Sequence, residues 1–279
     1  MNRTVQLLII DPQNDFCDLP ASYLPAGVAP ALPVAGAHAD MLRLAEFITA
    51  SGSALSAITT TLDSHNRLHI AHPTFWQTGA GGNVAPFTAI TASQVRQGQY
   101  LPRDAQALPR TLHYLDALEA GGRYTLMVWP VHCEVGSWGH NVHADVRAAY
   151  NAWEVAHLRI VQKVAKGSNL WTEHYSAIQA EVMDADDPGT QRNTALLAAL
   201  DTADLLVIAG EASSHCVKAT TEHIVQYLPG GRPERLVLLT DCMSPVGGFA
   251  AQHDAFLASM CSQGVQLATS TQLAAQLRA

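Results

Sequence analysis

Apolar residues fall in short dense runs along this chain, and between the runs they recur at helical spacing. Residues 5–10, 54–61, 124–129, 155–161, 204–209, 235–240 and 265–268 read as buried strands of a parallel sheet. Helical patterns occupy 39–51, 110–120, 142–152, 190–200, 214–227 and 250–263. Strand–helix alternation of this kind predicts an α/β protein, a three-layer α/β/α sandwich around a mostly parallel, Rossmann-like central sheet. Residues 66–108 break the pattern: they carry several prolines and Gly79-Ala80-Gly81-Gly82, with little periodicity. That stretch reads as a loop-rich insertion bordering the site, a lid or an oligomer contact. No repeat or linker divides the rest, so residues 1–279 read as a single domain.

Composition narrows the class. Of 279 residues, 48% are apolar and 14% charged, which suits a compact fold with a substantial core. A formal net charge of −8 argues against nucleic acid or an anionic membrane as partner and leaves a small molecule. No apolar run reaches membrane-spanning length, and Met1-Asn2-Arg3-Thr4 leads straight into a strand, so neither a span nor a signal peptide is expected. Cys17, Cys133, Cys216, Cys242 and Cys261 are odd in number and scattered, which points to free thiols in a reducing cytoplasm. The 13 histidines against 16 lysines plus arginines invite a search for metal ligands.

The predicted strand exits carry the chemistry. Asp11 follows the first strand, Asp63 the second, His132 the third and Cys216 the fifth, and Lys166 lies in the segment after the fourth. Ligands of such sheets sit beyond the carboxyl ends of the strands. Ser213 and Ser214 are helix N-cap types, placing Cys216 in a first turn where free N–H groups and the helix dipole favour a thiolate. The alternative is a small apolar residue packed beneath the sheet. Asp11 is poorly hydrated at a strand exit, which suits a general base; Asp-Pro is also a common turn. Asp63-Ser64-His65, followed by His69 and His72, has the ligand types of a divalent-metal site, and His132 could complete it. Such histidines are otherwise solvated loop residues, and Cys133 has no partner cysteine at ligand spacing. Lys166 must snorkel, pair with a carboxylate or act on a thiolate or oxyanion; Lys163 reads as a bystander.

Taken in order, Asp11-Pro12-Gln13-Asn14-Asp15-Phe16, Asp63-Ser64-His65, Trp129-Pro130-Val131-His132-Cys133, Lys166-Gly167 with Tyr175-Ser176, and Ser214-His215-Cys216-Val217 resemble the nicotinamidase branch of the isochorismatase-like cysteine hydrolases. The resemblance implies a catalytic triad of Asp11, Lys166 and Cys216 and a thioester mechanism. It implies an oxyanion hole from the N–H groups of Ala212 and Cys216, with a cis Glu211–Ala212 peptide. It further implies a single divalent ion on Asp63, His65 and His132, zinc first and iron or manganese next, that holds the pyridine nitrogen. Phe16 and Trp129 would sandwich the ring. His72, in His72-Pro73-Thr74-Phe75, is preferred to His69 as the fourth ligand. A place in NAD salvage and a homo-oligomer follow from the same resemblance.

The chain also departs from the family. Glu211-Ala212-Ser213-Ser214-His215-Cys216 stands where Val-Ala-Thr-Asp-His-Cys is usual, adding a carboxylate near the site, and the 66–108 insertion is extra length. The expected reaction is nicotinamide plus water to nicotinate plus ammonia. Alternatives are another small amide, carbamoyl compound or ureide; a non-catalytic binding module; or a zinc hydrolase in which Cys216 is structural. Isochorismate cleavage would leave the metal set without a role.

Overall fold

The computed structural model describes residues 3–278. Ten strands run β1 (Val5–Ile10), β2 (Leu55–Asp63), β3 (Trp76–Thr78), β4 (Thr88–Ile90), β5 (Tyr100–Pro102), β6 (Leu126–Val128), β7 (Gln162–Lys166), β8 (Leu205–Gly210), β9 (Leu236–Leu239) and β10 (Gln266–Ala268). The α-helices are α1 (Ala37–Ser51), α2 (Ala92–Arg96), α3 (Leu108–Gly121), α4 (Ala144–His157), α5 (Thr194–Asp201), α6 (Cys216–Tyr227), α7 (Ala250–Ser262) and α8 (Ser270–Arg278).

Six strands form one sheet in the order β10-β9-β8-β1-β2-β7, and every pairing in it is parallel. β1 and β8 lie at its centre, are buried along their whole length, and match Val5 with Leu205 through Ile10 with Gly210. From β1 the chain moves one way along the sheet to β2, and from β8 the other way to β9. Right-handed crossovers then put α1 and α6 on opposite faces. The packing agrees, since α1 meets α4 and α8 while α6 meets α7. The reversal between β1 and β8 is a topological switch point, where the loops beyond the strands part and leave a crevice.

Two expectations need correction. The apolar run at 155–161 is not a strand. Helix α4 continues to His157 and ends on Leu158 in the left-handed region, and Val155, Leu158 and Ile160 face solvent. The strand is β7, the edge strand Gln162–Lys166, whose polar and exposed positions hide it from an apolar count. The run at 124–129 supplies β6, but β6 pairs antiparallel with β4 outside the main sheet. The terminal helix α8 was not foreseen.

Residues 66–108 are more than loop. They hold β3, β4, β5 and α2, the last with a Thr91–Gln94 capping box. Ile70, Ala71, Phe75, Trp76, Val84, Ile90 and Val95 join the main hydrophobic core, so the segment is packed in rather than laid over as a lid. Among the described residues no helix is long and apolar enough to cross a membrane.

Candidate active site

The loops after β1 and β8, and the ends of β2 and β7, converge at the switch point. Lys166, the last residue of β7, is fully buried, which an ammonium tolerates only with partners close at hand. Its Nζ lies 2.9 Å from Asp11 Oδ2 and 3.0 Å from Asp63 Oδ1. It also donates to the His174 carbonyl at 2.9 Å and reaches Cys216 Sγ at 3.6 Å. Burial works against the charge on Lys166, but Asp11, Asp63 and Cys216 outweigh it and raise its pKa well above the ordinary lysine value. The lysine is therefore a fixed cation.

Asp11 leaves β1 in the left-handed region, φ 41°, and sits wholly inside. Thr61 of β2 holds it at two points: the Asp11 N–H donates to Thr61 Oγ1 at 3.0 Å, and that hydroxyl donates to Asp11 Oδ1 at 2.5 Å. Burial raises the Asp11 pKa, and Lys166 pulls it part of the way back. Gln13 clamps the exits of β1 and β2 together, accepting from Asp63 N–H at 2.7 Å and donating to Asp63 O at 2.8 Å.

Cys216 opens α6, but not as its sequence suggests. The N-cap is His215 and no side chain caps the helix. Ser214 Oγ instead pairs with His215 Nδ1 at 2.9 Å and Ser213 Oγ with His253 Nδ1 at 2.7 Å. Burial pushes the Cys216 thiol well up, Lys166 opposes, and Asp11 and Asp63 push it further, Asp11 also through a hydrogen bond. The resting sulfur is thus a thiol with a carboxylate beside it, rather than the thiolate that a helix N-terminus alone would favour. The Glu211–Ala212 peptide is cis. Among the described residues nothing accepts from the N–H of Ala212 or of Cys216, leaving two donors free beside the sulfur.

Behind this group, Asp63 Oδ2 faces two imidazoles, His65 Nε2 at 2.9 Å and His132 Nε2 at 3.3 Å. Burial opposes the charge on Asp63, but His65, Lys166 and the two histidine hydrogen bonds hold its carboxyl well below the usual range. The other ring nitrogens are tied back: His65 Nδ1 to Gly167 O at 2.9 Å and His132 Nδ1 to Pro130 O at 2.8 Å, which aims both Nε2 atoms inward. His72 Nδ1 lies 3.3 Å from Arg67 O, while its buried Nε2 has no partner at all. His69 differs, since its Nδ1 accepts from Ala71 N–H and its Nε2 pairs with Thr172 O. A Cβ on Gly167 would come within 2.9 Å of Asp63 Oδ1 and of His65 Cε1, so only glycine leaves the space beside the cluster open. Two potential ligand groups share His65, namely Asp63-His65-His132 and His65-His69-His72. The donor types fit a divalent cation, and the orphaned His72 Nε2 makes His72 a freer fourth donor than His69, whose two nitrogens are both engaged.

A cavity of about 30 Å³ lies against Cys216, walled by Phe16, Trp129, Tyr175 and His215, with Asp63, His132 and Glu173 at its polar end. Surface clefts of about 510 and 500 Å³ are larger, but neither is lined by a cysteine or a carboxylate.

No protein-family model matches the sequence, and no curated protein matches it. Solved structures do. The yeast nicotinamidase bound to the inhibitor nicotinaldehyde is 17% identical, with TM-score 0.62 over 95% of this chain and 100% of that one. A Pyrococcus horikoshii pyrazinamidase in complex with zinc is 17% identical, with TM-score 0.52 over 95% and 98%. An isochorismatase family protein from Desulfovibrio vulgaris is 16% identical, with TM-score 0.53 over the full length of both chains. The chain has the isochorismatase-like hydrolase fold.

On that fold, Asp11, Lys166 and Cys216 come together at the switch point, with Asp63, His65, His72 and His132 alongside and Phe16 and Trp129 in the pocket wall. Lys163 is half exposed and apart, as expected of a bystander. Glu211 corrects the reading that it adds a carboxylate to the site: its side chain turns away from the cavity toward α1. Thr61, Gln13 and His215 were not singled out, although Gln13 and His215 lie inside motifs that were.

Proposed function

We propose that the protein hydrolyses a small aromatic carboxamide, nicotinamide first, to the acid and ammonia through a thioester on Cys216. One observation carries this: Lys166 joins Asp11, Asp63 and the Cys216 sulfur in a single buried contact group at the wall of an aromatic pocket. Asp11 takes the Sγ proton as sulfur attacks the amide carbon, and the C–S bond forms. The resulting oxyanion is received by the Ala212 and Cys216 N–H groups, preset where the negative charge grows. Asp11 returns its proton to nitrogen, the C–N bond breaks and ammonia leaves. Water then attacks the thioester with Asp11 again as base, and the thiol is restored. Lys166 opposes the burial that favours the neutral acid at Asp11.

Asp63, His65, His132 and His72 would hold one divalent ion, zinc first by donor type, iron or manganese on the same chemistry. Bound there, it would supply a Lewis acid for the lone pair of a ring nitrogen. Phe16 and Trp129 would take the ring faces. The pocket has room for little more than one water, so the ring enters as these side chains move apart. On this reading the partner is a small amide, and five free cysteines suit a reducing cytoplasm.

The test is ammonia release from nicotinamide and pyrazinamide, with Cys216→Ala as control. Turnover by the parent and none by Cys216→Ala, with metal content unchanged, is expected. Substantial turnover by Cys216→Ala would favour a metal-bound water as nucleophile. Turnover of neither amide by the parent would refute the substrate assignment.

A further inference from the structure

Glu211 ends in a place that a catalytic carboxylate would not choose. Its backbone N–H donates to Ile10 O at 2.8 Å, and its fully buried side chain turns under the 211–216 turn. There Oε2 accepts from Ser244 N–H at 3.1 Å. Ser244 closes a ring: its Oγ donates to Asp40 Oδ2 at 2.5 Å and its carbonyl accepts from Ser213 N–H at 2.9 Å. Asp40, on α1, is also buried, and Arg43 covers its other oxygen. Two buried carboxyls thus meet around one serine, with one guanidinium on Asp40. Glu211 Oε1 has no partner as an acceptor. With a proton on it, that atom becomes the donor to Asp40, and the ring is satisfied.

We propose that Glu211 is a positioning residue: protonated and bonded to Asp40, it braces the turn that carries the Ala212 and Cys216 N–H groups. Geometry makes one shared proton the balanced state, since two carboxylates this close cannot both keep their charge with a single cation beside them. Burial pushes the Glu211 carboxyl well up, Asp40 adds to this, and the Ser244 N–H opposes it. Asp40 is also raised by burial, but hydrogen bonds from Ser244, Glu211 and Arg43 restrain it, so the proton belongs on Glu211. Other groups facing the pair are Asp18 and Cys17 after β1, Asp241 and Cys242 after β9, and His253 of α7 bonded to Ser213. Loss of the proton sets two carboxylates against each other directly beneath Ala212.

Only the kinetic arm of the test rests on the amidase reading. Infrared difference spectra of the parent against Glu211→Gln at neutral pH should show a protonated carboxylic acid present in the parent alone. In ¹⁵N–¹H spectra the Ala212 and Cys216 amides should shift with an alkaline midpoint in the parent and stay put in Glu211→Gln, which keeps donor and acceptor without a charge to gain. Kinetically, Glu211→Gln should stay within about threefold of the parent at neutral pH and lose part of the alkaline decline in kcat. Glu211→Val should drop kcat by about 10- to 100-fold with little change in KM, as a displaced oxyanion donor does. No carboxylic-acid difference, or the same amide titration in Glu211→Gln, overturns the proposal whether or not Glu211→Val folds. Positive spectra from a protein that turns over no amide would uphold it and refute the substrate reading alone.

Discussion

Replacing Thr61 with valine tests whether Asp11 is the base. The two side chains have nearly the same shape, and residue 61 is fully buried in β2, so the change removes chiefly the hydroxyl. That hydroxyl both donates to Asp11 Oδ1 and accepts from Asp11 N–H. The donated bond favours the ionised carboxyl, and a hydrogen bond to a charged group contributes about 1.5–3 kcal/mol. At about 1.4 kcal/mol per tenfold change in proton affinity, its loss makes Asp11 about 10- to 100-fold easier to protonate. Asp11 must be ionised to take the thiol proton, so the acid limb of kcat/KM moves to higher pH by about one to two pH units. The orphaned Asp11 N–H costs about 1–3 kcal/mol of stability. Ammonia release followed across pH, with a denaturant melt alongside, reads both effects. A folded Thr61→Val protein with the parent's acid limb would mean that Asp11 is not the group whose ionisation gates the reaction.

Two further outcomes follow from the same site and its surroundings. His72→Ala should weaken zinc binding at least tenfold in a competition titration, since its Nε2 is the free donor, whereas His69→Ala should spare zinc affinity and lower the melting temperature instead. Glu181 is buried and its carboxyl is raised from 4.5 to about 7, mainly by burial, with Arg123 opposing. The folded state therefore holds this proton more tightly than the unfolded chain, so the contribution of Glu181 to stability is full below pH 4.5 and is lost as pH rises to about 7. The drop is about 3 kcal/mol relative to Glu181→Gln, read as the difference between their pH-dependent unfolding free energies. Parallel profiles for the two proteins would refute it.

What the chain disclosed in advance was the polar residue at the end of each dense apolar run. β1 and β8 are buried on both faces, so their composition is nearly all aliphatic and their exits, Asp11 and the turn before Cys216, stand out sharply. The edge strand β7 had no such signature. It is half exposed and reads Gln-Lys-Val-Ala-Lys, while the exposed Val155, Leu158 and Ile160 just before it imitate a buried run. The choice between His72 and His69 was hidden for another reason. It depends on which ring nitrogens find backbone partners, and one of those partners, Thr172 O, lies 103 residues away. Thr61 was hidden because a threonine in a strand needs no explanation beyond its β propensity. The direction of Glu211 could not be read at all, since a residue at a strand exit can serve the crevice or the packing beneath it. Cys216 stands on the first turn of its helix as expected, yet its thiol is raised rather than lowered, because burial, with Asp11 and Asp63 adding to it, outweighs Lys166 and the helix terminus.

Asp63 ties the two halves of the site together. Its Oδ1 meets Lys166 and its Oδ2 meets His65 and His132, so one carboxylate serves both the buried cation and the histidine cluster. Removing it leaves Lys166 with Asp11 as its single carboxylate partner and leaves the imidazoles without the anion that orients them. A loss of activity in an Asp63 variant therefore cannot be assigned to metal or to triad from that variant alone. Charge accounting points the same way. Lys166 faces Asp11 and Asp63 together, and a buried cation between two carboxylates leaves one negative charge over, beside histidines whose remaining nitrogens point inward. A divalent cation on Asp63, His65, His132 and His72 would answer that excess charge. Such an ion would stabilise the pairing of Lys166 with Asp11 whatever the substrate, and stripping it should impair Asp11 as a base even toward an amide that carries no ring nitrogen.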